Sequence, residues 1–517
     1  MQSSSRTIKS VHNAKVALLF YFINLILQFF SRKIFLDYLG SEVLGLNTTA
    51  YNLLSFLNIA ELGIGAAVAY NLYKPIYEDD RQAINDIVSI QGWLYRRIAY
   101  VVIIGACVLM CFFPMIFEKA EVPLWYTYGS FIVLLVSALL GYFVNYRQIL
   151  LSADQKEYKI TYCVQGTKIL KVLFQMLAIW LLSHGYVWWM GLEVIFAIIT
   201  SVVLDHVIKK EYPWLHPTVN KGWTLQVKYP GIITKTKQIF FHKISIFVLT
   251  QTSPLIIYAY SSLTLVAIYG NYMLIVYGVT TLMTAFVNSI NAGIGSLVAE
   301  GNNVKIKAAF WEITILRIWL ASIICFGMYM LGHPFIALWM GPEYVMPQSA
   351  FIILIINNFI CLTRTNEAFL AAYGLFQDVW APVIEAILNL GCSILFGYYW
   401  GLPGILLGGL ISLIIIVFSW KPYFLYRDGF KEPITEYILR YLKILGLISM
   451  AGYCASIISG RYFPIIISAI DYKEFIVNGS CTLFIYIMFS VGLLYITVPQ
   501  YRNFIKRMYA LVIHKDQ

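Results

Sequence analysis

The sequence predicts an all-α polytopic membrane protein of about 14 transmembrane helices, and three observations predict it. Of 517 residues, 60% are hydrophobic and only 12% charged, and the mean hydropathy is +0.73; a water-soluble chain of this length needs far more polar surface. Apolar stretches of about 20 residues, each long enough to cross a bilayer core, follow one another along almost the whole chain. The formal net charge is +11, but the cations collect in alternate loops. That is the pattern of cytoplasmic loops and excludes nucleic-acid binding as the meaning of the charge.

The elements follow in order. The first 15 residues are polar, with Arg6, Lys9 and Lys15, and the apolar run behind them has no small-residue cleavage site and ends in Arg32 and Lys33. This reads as an uncleaved first helix. Apolar segments lie near 17–39, 46–70, 92–116, 125–151, 161–183, 187–208, 240–260 and 268–298, and then near 309–331, 349–372, 382–400, 403–420, 440–459 and 475–497. An even number returns the C-terminus to the side of the N-terminus. Loops on that side carry Lys74, Lys159, Lys209, Lys210, Lys235, Lys307 and Arg427 among others, plus a basic tail from Arg502 to Lys515, whereas the opposite loops hold only Lys119, Arg461 and Lys473. Both termini are therefore expected in the cytoplasm.

All eight cysteines fall inside apolar segments, so neither disulfides nor a zinc site is expected. Cys107 and Cys111 lie one helical turn apart, but without His or further Cys nearby they read as small core residues. No GxxxxGK[ST] loop is present, which argues against nucleotide hydrolysis within the chain, and no cofactor or metal is expected.

The one long connection, 209–239, is basic and punctuated by Pro213, Pro217, Gly222 and Pro230. It divides six helices (1–208) from eight, the latter resolved into six (240–420) and a C-terminal helix pair with its tail (421–517). The two sets of six repeat. Ala60-Glu61-Leu62-Gly63-Ile64-Gly65 ends the second helix and Asn291-Ala292-Gly293-Ile294-Gly295 the eighth, while Arg147 precedes Leu151-Ser152-Ala153 as Arg364 precedes Leu370-Ala371-Ala372. Two parallel six-helix lobes around a central cavity are a transporter plan.

The stretch from Leu44-Gly45-Leu46-Asn47 through Asn52-Leu53-Leu54-Ser55, Ala60-Glu61-Leu62-Gly63 and Tyr73-Lys74-Pro75 resembles the bacterial Wzx-type flippases of the multidrug/oligosaccharidyl-lipid/polysaccharide exporter superfamily. The resemblance implies a non-enzymatic flippase of the bacterial cytoplasmic membrane. It implies that an undecaprenyl-diphosphate-linked oligosaccharide is moved to the outer leaflet for surface polysaccharide synthesis, with membrane lipids, a polysaccharide polymerase and glycosyltransferases as partners.

Buried charges point the same way. Arg32, Arg147, Lys168, Lys171, Lys243, Arg317 and Arg364 lie within or at the ends of apolar segments, where an ionised side chain costs at least about 2.5 to 3.5 kcal/mol at the membrane centre. A lipid diphosphate is a dense anion that Arg meets with a planar fork of donors and Lys with a mobile point charge. Arg147 and Arg364 occupy corresponding helices, and Lys168 and Lys171, three apart, share a helix face. Arg147, Lys168, Lys171, Arg364, Arg317 and Arg32 are the substrate-binding candidates, with snorkelling to head groups the competing explanation, strongest for Arg32, Lys33 and Lys243.

Among the buried acids, Glu61, Glu367 and Glu385 are the candidates for ion coupling, because desolvation favours a protonated form that exchanges its proton. A structural reading competes at each. Glu367 lies three residues after Arg364, as in an intrahelical ion pair, and Glu61 sits beside Gly63 and Gly65, where helices approach closely. Two other classes stay open: a multidrug exporter of the same superfamily, and a membrane glycosyltransferase or polysaccharide polymerase. Cationic drugs sit poorly against buried Lys and Arg, and the outer loops offer an enzyme only scattered single acids.

Overall fold

Backbone amides find no water in hydrocarbon, so a chain this apolar closes its hydrogen bonds within helices, and among the described residues there is no strand. The computed structural model describes the backbone of residues 2–61, 63–375, 377–378, 380–465, 471–503 and 505–506, and side chains over those spans except at 2–12, 14, 60, 238, 241–250, 285–293, 296 and 299. Lys243 and Gly293 thus lie outside the described side chains. The protein is an all-α, multi-spanning membrane fold, with 12 helices among the described residues long and apolar enough to cross a bilayer.

The difference from the expected fourteen arises at two places. Helix α1 (Gln2–Leu57) runs through both of the first two segments, with Gly40 off helical geometry at φ 82°, ψ 168°. Its apolar part, Lys15–Leu57, is 43 residues, about 65 Å at the helical rise and twice the hydrocarbon thickness, so Gly40 divides two crossings. The segment expected at 240–260 belongs to a helix, Pro230–Tyr260, that includes side chains outside the description.

The chain forms two compact units, 1–267 and 268–517. In the first, α1 is followed by α2 (Ile64–Glu78), α3 (Arg81–Cys111), α4 (Leu124–Phe143), α5 (Glu157–Leu181), α6 (Gly185–Glu211), the short α7 (Gly222–Lys228) and α8 (Pro230–Tyr260). Helix α5 packs against α1 and α6, α4 against α6, and α8 against α1 and α2. The start of α3 is fixed by Asp80, whose carboxylate accepts from the Ala83 amide at 2.9 Å, satisfying a backbone donor that the first helical turn otherwise leaves open.

The connection that reads as a linker is docked. Asn85 and Ser89 of α3 accept from the amides of His216 (2.7 Å) and Thr218 (2.8 Å), Asp86 accepts from Lys228 and Tyr229, and Arg97 lies 4.4 Å over Trp93 and 5.4 Å over Trp223. The turn residues shape this segment but do not free it.

The second unit holds α9 (Leu263–Glu300) from residue 268 onward, α10 (Asn303–Trp339), α11 (Gln348–Leu362), α12 (Thr365–Ala372), α13 (Trp380–Trp400), α14 (Leu402–Ser412), α15 (Thr435–Tyr462) and α16 (Tyr472–Thr497). Helix α14 continues into a π-helical stretch, Leu413–Trp420. Phe310, Trp311, Phe369, Tyr426, Phe430 and Tyr437 form an aromatic core in which Phe310 meets Trp311, Phe369, Tyr426 and Phe430 edge to face, the arrangement that the ring quadrupoles favour, and Tyr437 packs at a tilt. Helices α13 and α14 touch at backbone level: a Cβ on Gly404 would collide with the Phe396 carbonyl and one on Gly408 with Ser393. Without a hydrophobic drive between helices in lipid, such small residues permit the contact area that holds them together.

Candidate functional site

Three of the expected helices are interrupted, and charged candidates stand at the interruptions. Segment 46–70 breaks after Leu57 into a 3-10 turn, Asn58–Glu61, and restarts after Gly63, whose φ of 98° strains any residue with a Cβ. Segment 125–151 breaks into the 3-10 turn Asn145–Gln148, which carries Arg147, before a short helix Ile149–Ala153. Segment 349–372 breaks at Thr363 and Arg364, with Arg364 capping α12. The two arginines that the sequence sets in corresponding positions thus both stand at interruptions, Arg147 within a 3-10 turn and Arg364 at the N-cap of α12.

In the first unit Arg147 forms an ion pair with Asp205 of α6, and Lys209 approaches the other Asp205 oxygen at 2.7 Å. Lys171 of α5 meets Glu193 of α6 at 2.6 Å, and Gln175 donates to the second Glu193 oxygen at 3.0 Å. Lys168, one turn earlier on the same face, makes no hydrogen bond or ion pair among the described residues. It lines a cavity of ≈ 210 Å³ together with Asn145, Thr167, Lys171, Glu193 and Ser201, and a second cavity of ≈ 310 Å³ with Asn24, Gln28 and Gln165. Asn145 Oδ1 and Ser201 Oγ are buried without a hydrogen-bond partner among the described residues. The first cavity therefore offers an ammonium and unsatisfied polar groups together, a surface that can take up an anion with hydroxyl groups.

Arg32 donates to the Ala267 carbonyl at 3.1 Å and lines neither cavity. Glu61 also stands apart from the cations. Its carboxylate accepts from Tyr95 at 3.1 Å, and Tyr142 donates to Asn58 of the same turn at 2.9 Å. Outside the membrane spans, where the chain leaves the short helix for α5, burial works against the Lys156 ammonium, but Asp154 at 2.5 Å and Glu211 at 2.7 Å outweigh it and hold its pKa above the ordinary value.

In the second unit Arg317 of α10 is buried and spends its guanidinium on backbone. Its Nε and Nη2 donate to the Leu362 carbonyl at 3.0 and 2.8 Å, and its Nη1 to the Arg364 carbonyl at 3.0 Å. A cation at these carbonyls answers the negative end of α11, where the break leaves acceptors without amide partners. Arg364 itself lies 3.4 Å from Glu367 and 3.5 Å from Glu385 of α13. Both arginines line a cavity of ≈ 340 Å³ with Thr280, Thr284, Cys361 and Glu367.

Each unit thus gathers its own set. Arg147, in the turn after α4, and Lys171, which shares α5 with Lys168, meet acids of α6, and Arg317, Arg364, Glu367 and Glu385 surround the α11–α12 break. Sequence reasoning passed over Asp205, although an acid in an apolar segment is the signal that selected Glu61, Glu367 and Glu385. It also passed over Asn145 and Ser201, whose types are unremarkable in any helix.

Fold and sites together define a polytopic helical membrane protein with polar, charge-lined cavities inside its spans. Among solved structures, the fold is similar to that of the lipid II flippase MurJ in an inward closed conformation, with a TM-score of 0.65 at 14% sequence identity over 94% of this chain and 99% of that one. It is also similar to an inward-facing multidrug resistance MATE family transporter of the MOP superfamily, with a TM-score of 0.60 at 14% identity over 79% of this chain and 95% of that one. No family model and no curated protein sequence matches the chain.

Proposed function

We propose that the protein is a flippase of the Wzx type, within the superfamily of the two similar folds, moving an undecaprenyl-diphosphate-linked oligosaccharide from the cytoplasmic to the outer leaflet of a bacterial cytoplasmic membrane. The product feeds a surface polysaccharide such as O-antigen, capsule or exopolysaccharide. The observation that carries the reading is Lys168, a cation within a spanning helix that makes no hydrogen bond or ion pair among the described residues and faces a polar cavity whose lining carboxylate, Glu193, pairs with Lys171. An ammonium kept at that cost, while the carboxylate of its cavity pairs with another cation, is suited to an anionic ligand. The resemblance of the 44–75 stretch to flippases and the fold shared with one support it.

On this reading Arg147, Lys168 and Lys171 in the first half, and Arg364 in the second, attract the diphosphate, while Arg317 keeps the Arg364 turn in place. Arg32 secures a helix approach. Glu61, Glu367 and Glu385 are the acids available for coupling to an ion. The halves, 1–208 and 240–420 with the connection 209–239 between them, expose the polar pathway to each side in turn, and 421–517 forms the appended helix pair and tail. Sugars stay solvated while the polyprenyl chain remains in lipid, because each hydroxyl dragged unpaired through hydrocarbon costs on the order of several kcal/mol. Both termini and the basic connection face the cytoplasm.

The test is transport in proteoliposomes carrying a fluorescent undecaprenyl-diphosphate oligosaccharide and, separately, a cationic dye. Movement of the lipid-linked sugar, reduced at least tenfold in Lys168→Gln, is the expected result. Export of the dye without movement of the lipid would assign the protein to drug efflux instead.

A further inference from the structure

At one end of the second unit, α16 finishes at Thr497 beside the opening turns of α15, where Lys443 donates to the Thr497 carbonyl at 3.2 Å. At the other end of this antiparallel pair Asn478 reaches the Pro464 carbonyl. Between α10, α15 and the end of α16 lies a cavity of ≈ 190 Å³, with Arg440 and Lys443 on its wall and Trp311, Ile315, Ile444 and Val498 supplying apolar lining. It shares no lining residue with the cavity at Arg317 and Arg364.

The charges around it do not balance. Arg440 pairs with Glu436 at 2.6 Å and lies 5.3 Å over the Trp311 ring, but Glu436 is shared with Lys307 at 2.6 Å, and Lys307 also pairs with Glu432. Arg440 and Lys307 therefore share two carboxylates, and Lys443 is the cation in excess. Among the described residues Lys443 has a backbone carbonyl as its partner and no carboxylate, and an ammonium carries three N–H donors. Along α15 beside it, Leu439 and Leu442 are exposed (70% and 55%), as side chains facing lipid are.

A surplus of positive charge at the end of a membrane-crossing helix pair, next to an apolar face, matches both parts of a phospholipid. We propose that this cavity binds an anionic glycerophospholipid, its phosphate between Arg440 and Lys443 and an acyl chain along Leu439 and Leu442. A zwitterionic lipid binds less well, because its own ammonium is brought against the same cations. The site does not depend on the transport reading.

A polyprenyl phosphate or free phosphate offers the same phosphoryl oxygens, so the experiment separates the sources. The full chain, purified and delipidated in detergent, is titrated with phosphatidylglycerol, phosphatidylcholine, undecaprenyl phosphate and inorganic phosphate and observed by native mass spectrometry. Phosphatidylglycerol should bind at least fivefold more tightly than phosphatidylcholine, and Arg440→Gln with Lys443→Gln should remove that advantage, while Arg461→Gln at the far end of α15 keeps it. If the double variant loses its thermal transition, Lys443→Gln alone, which leaves the Arg440–Glu436 pair intact, should weaken binding at least twofold. Equal phosphatidylglycerol binding in wild type and variants, an equal loss in Arg461→Gln, displacement by inorganic phosphate, or preference for undecaprenyl phosphate would each overturn the proposal.

Discussion

Lys168 and Lys171 are one helical turn apart and alike in sequence, yet their surroundings predict opposite consequences of neutralising them. Lys171 is ion-paired, so Lys171→Gln takes the cation from the part-buried Glu193 carboxylate, which keeps Gln175, and should lower stability by less than the roughly 3 to 5 kcal/mol lost when one partner of a fully buried pair is removed. Lys168→Gln strands nothing. It should leave the melting temperature in detergent unchanged while transport falls at least tenfold, and a drop in melting temperature equal to that of Lys171→Gln would show that Lys168 is structural. Arg147→Asp should fail to accumulate in the membrane, and Arg147→Asp with Asp205→Arg should restore accumulation by returning the pair in reverse order; immunoblotting of membranes reads both. The cations were legible in the sequence because any charge in an apolar segment stands out. Their partners were not, since which acid an arginine meets depends on how neighbouring helices are rotated, and Asp205, near the Lys209-Lys210 end of its helix, reads there as part of a solvated boundary.

At the scale of elements, hydropathy located nearly every helix but ran straight across the breaks at 58–63, 144–148 and 363–364. An interruption keeps its apolar composition, and only the local backbone changes, so a periodic signal passes through it. The repeat carried the missing information in part: the two corresponding arginines both stand where a helix stops and restarts. Packing between elements is likewise a matter of single atoms. In α14, Gly408→Val places two methyl groups and a Cβ onto the backbone of Ser393, and should cost about 3 kcal/mol by overpacking, read as a lower melting temperature of the detergent-solubilised protein. Gly446→Val in α15, where a Cβ meets open space, is the control that should change little.

For the molecule as a whole, composition settled the solvent before any residue was considered, and that sufficed for the fold class. The +11 charge sets the expected orientation: single cysteines placed in 209–239 should react with a membrane-impermeant maleimide only after the cytoplasm is opened, and labelling of intact cells would reverse the assigned topology. The docking of that connection on α3 through His216, Thr218 and Lys228 was not legible. Pro, Gly and Lys mark a segment outside the membrane but do not say whether it is bound to anything, because the donors and acceptors that hold it are backbone amides and common polar side chains of a distant helix.

The docked connection and the helix behind it also bear on how the gene can be divided. Because α8 packs on α1 and α2, the basic stretch before it is an interior stretch of the first unit despite lying between two runs of six helices. A cut within 209–239 would strip that unit of its own helix, whereas a cut at the Ser261-Ser262 turn, between α8 and α9, leaves its helices complete. Two half-genes encoding 1–261 and 262–517, expressed together, should therefore reconstitute a membrane-inserted, transport-competent protein. Halves divided at residue 221, which severs α7 from the α3 surface and α8 from the α1 and α2 surfaces that receive them, should be degraded.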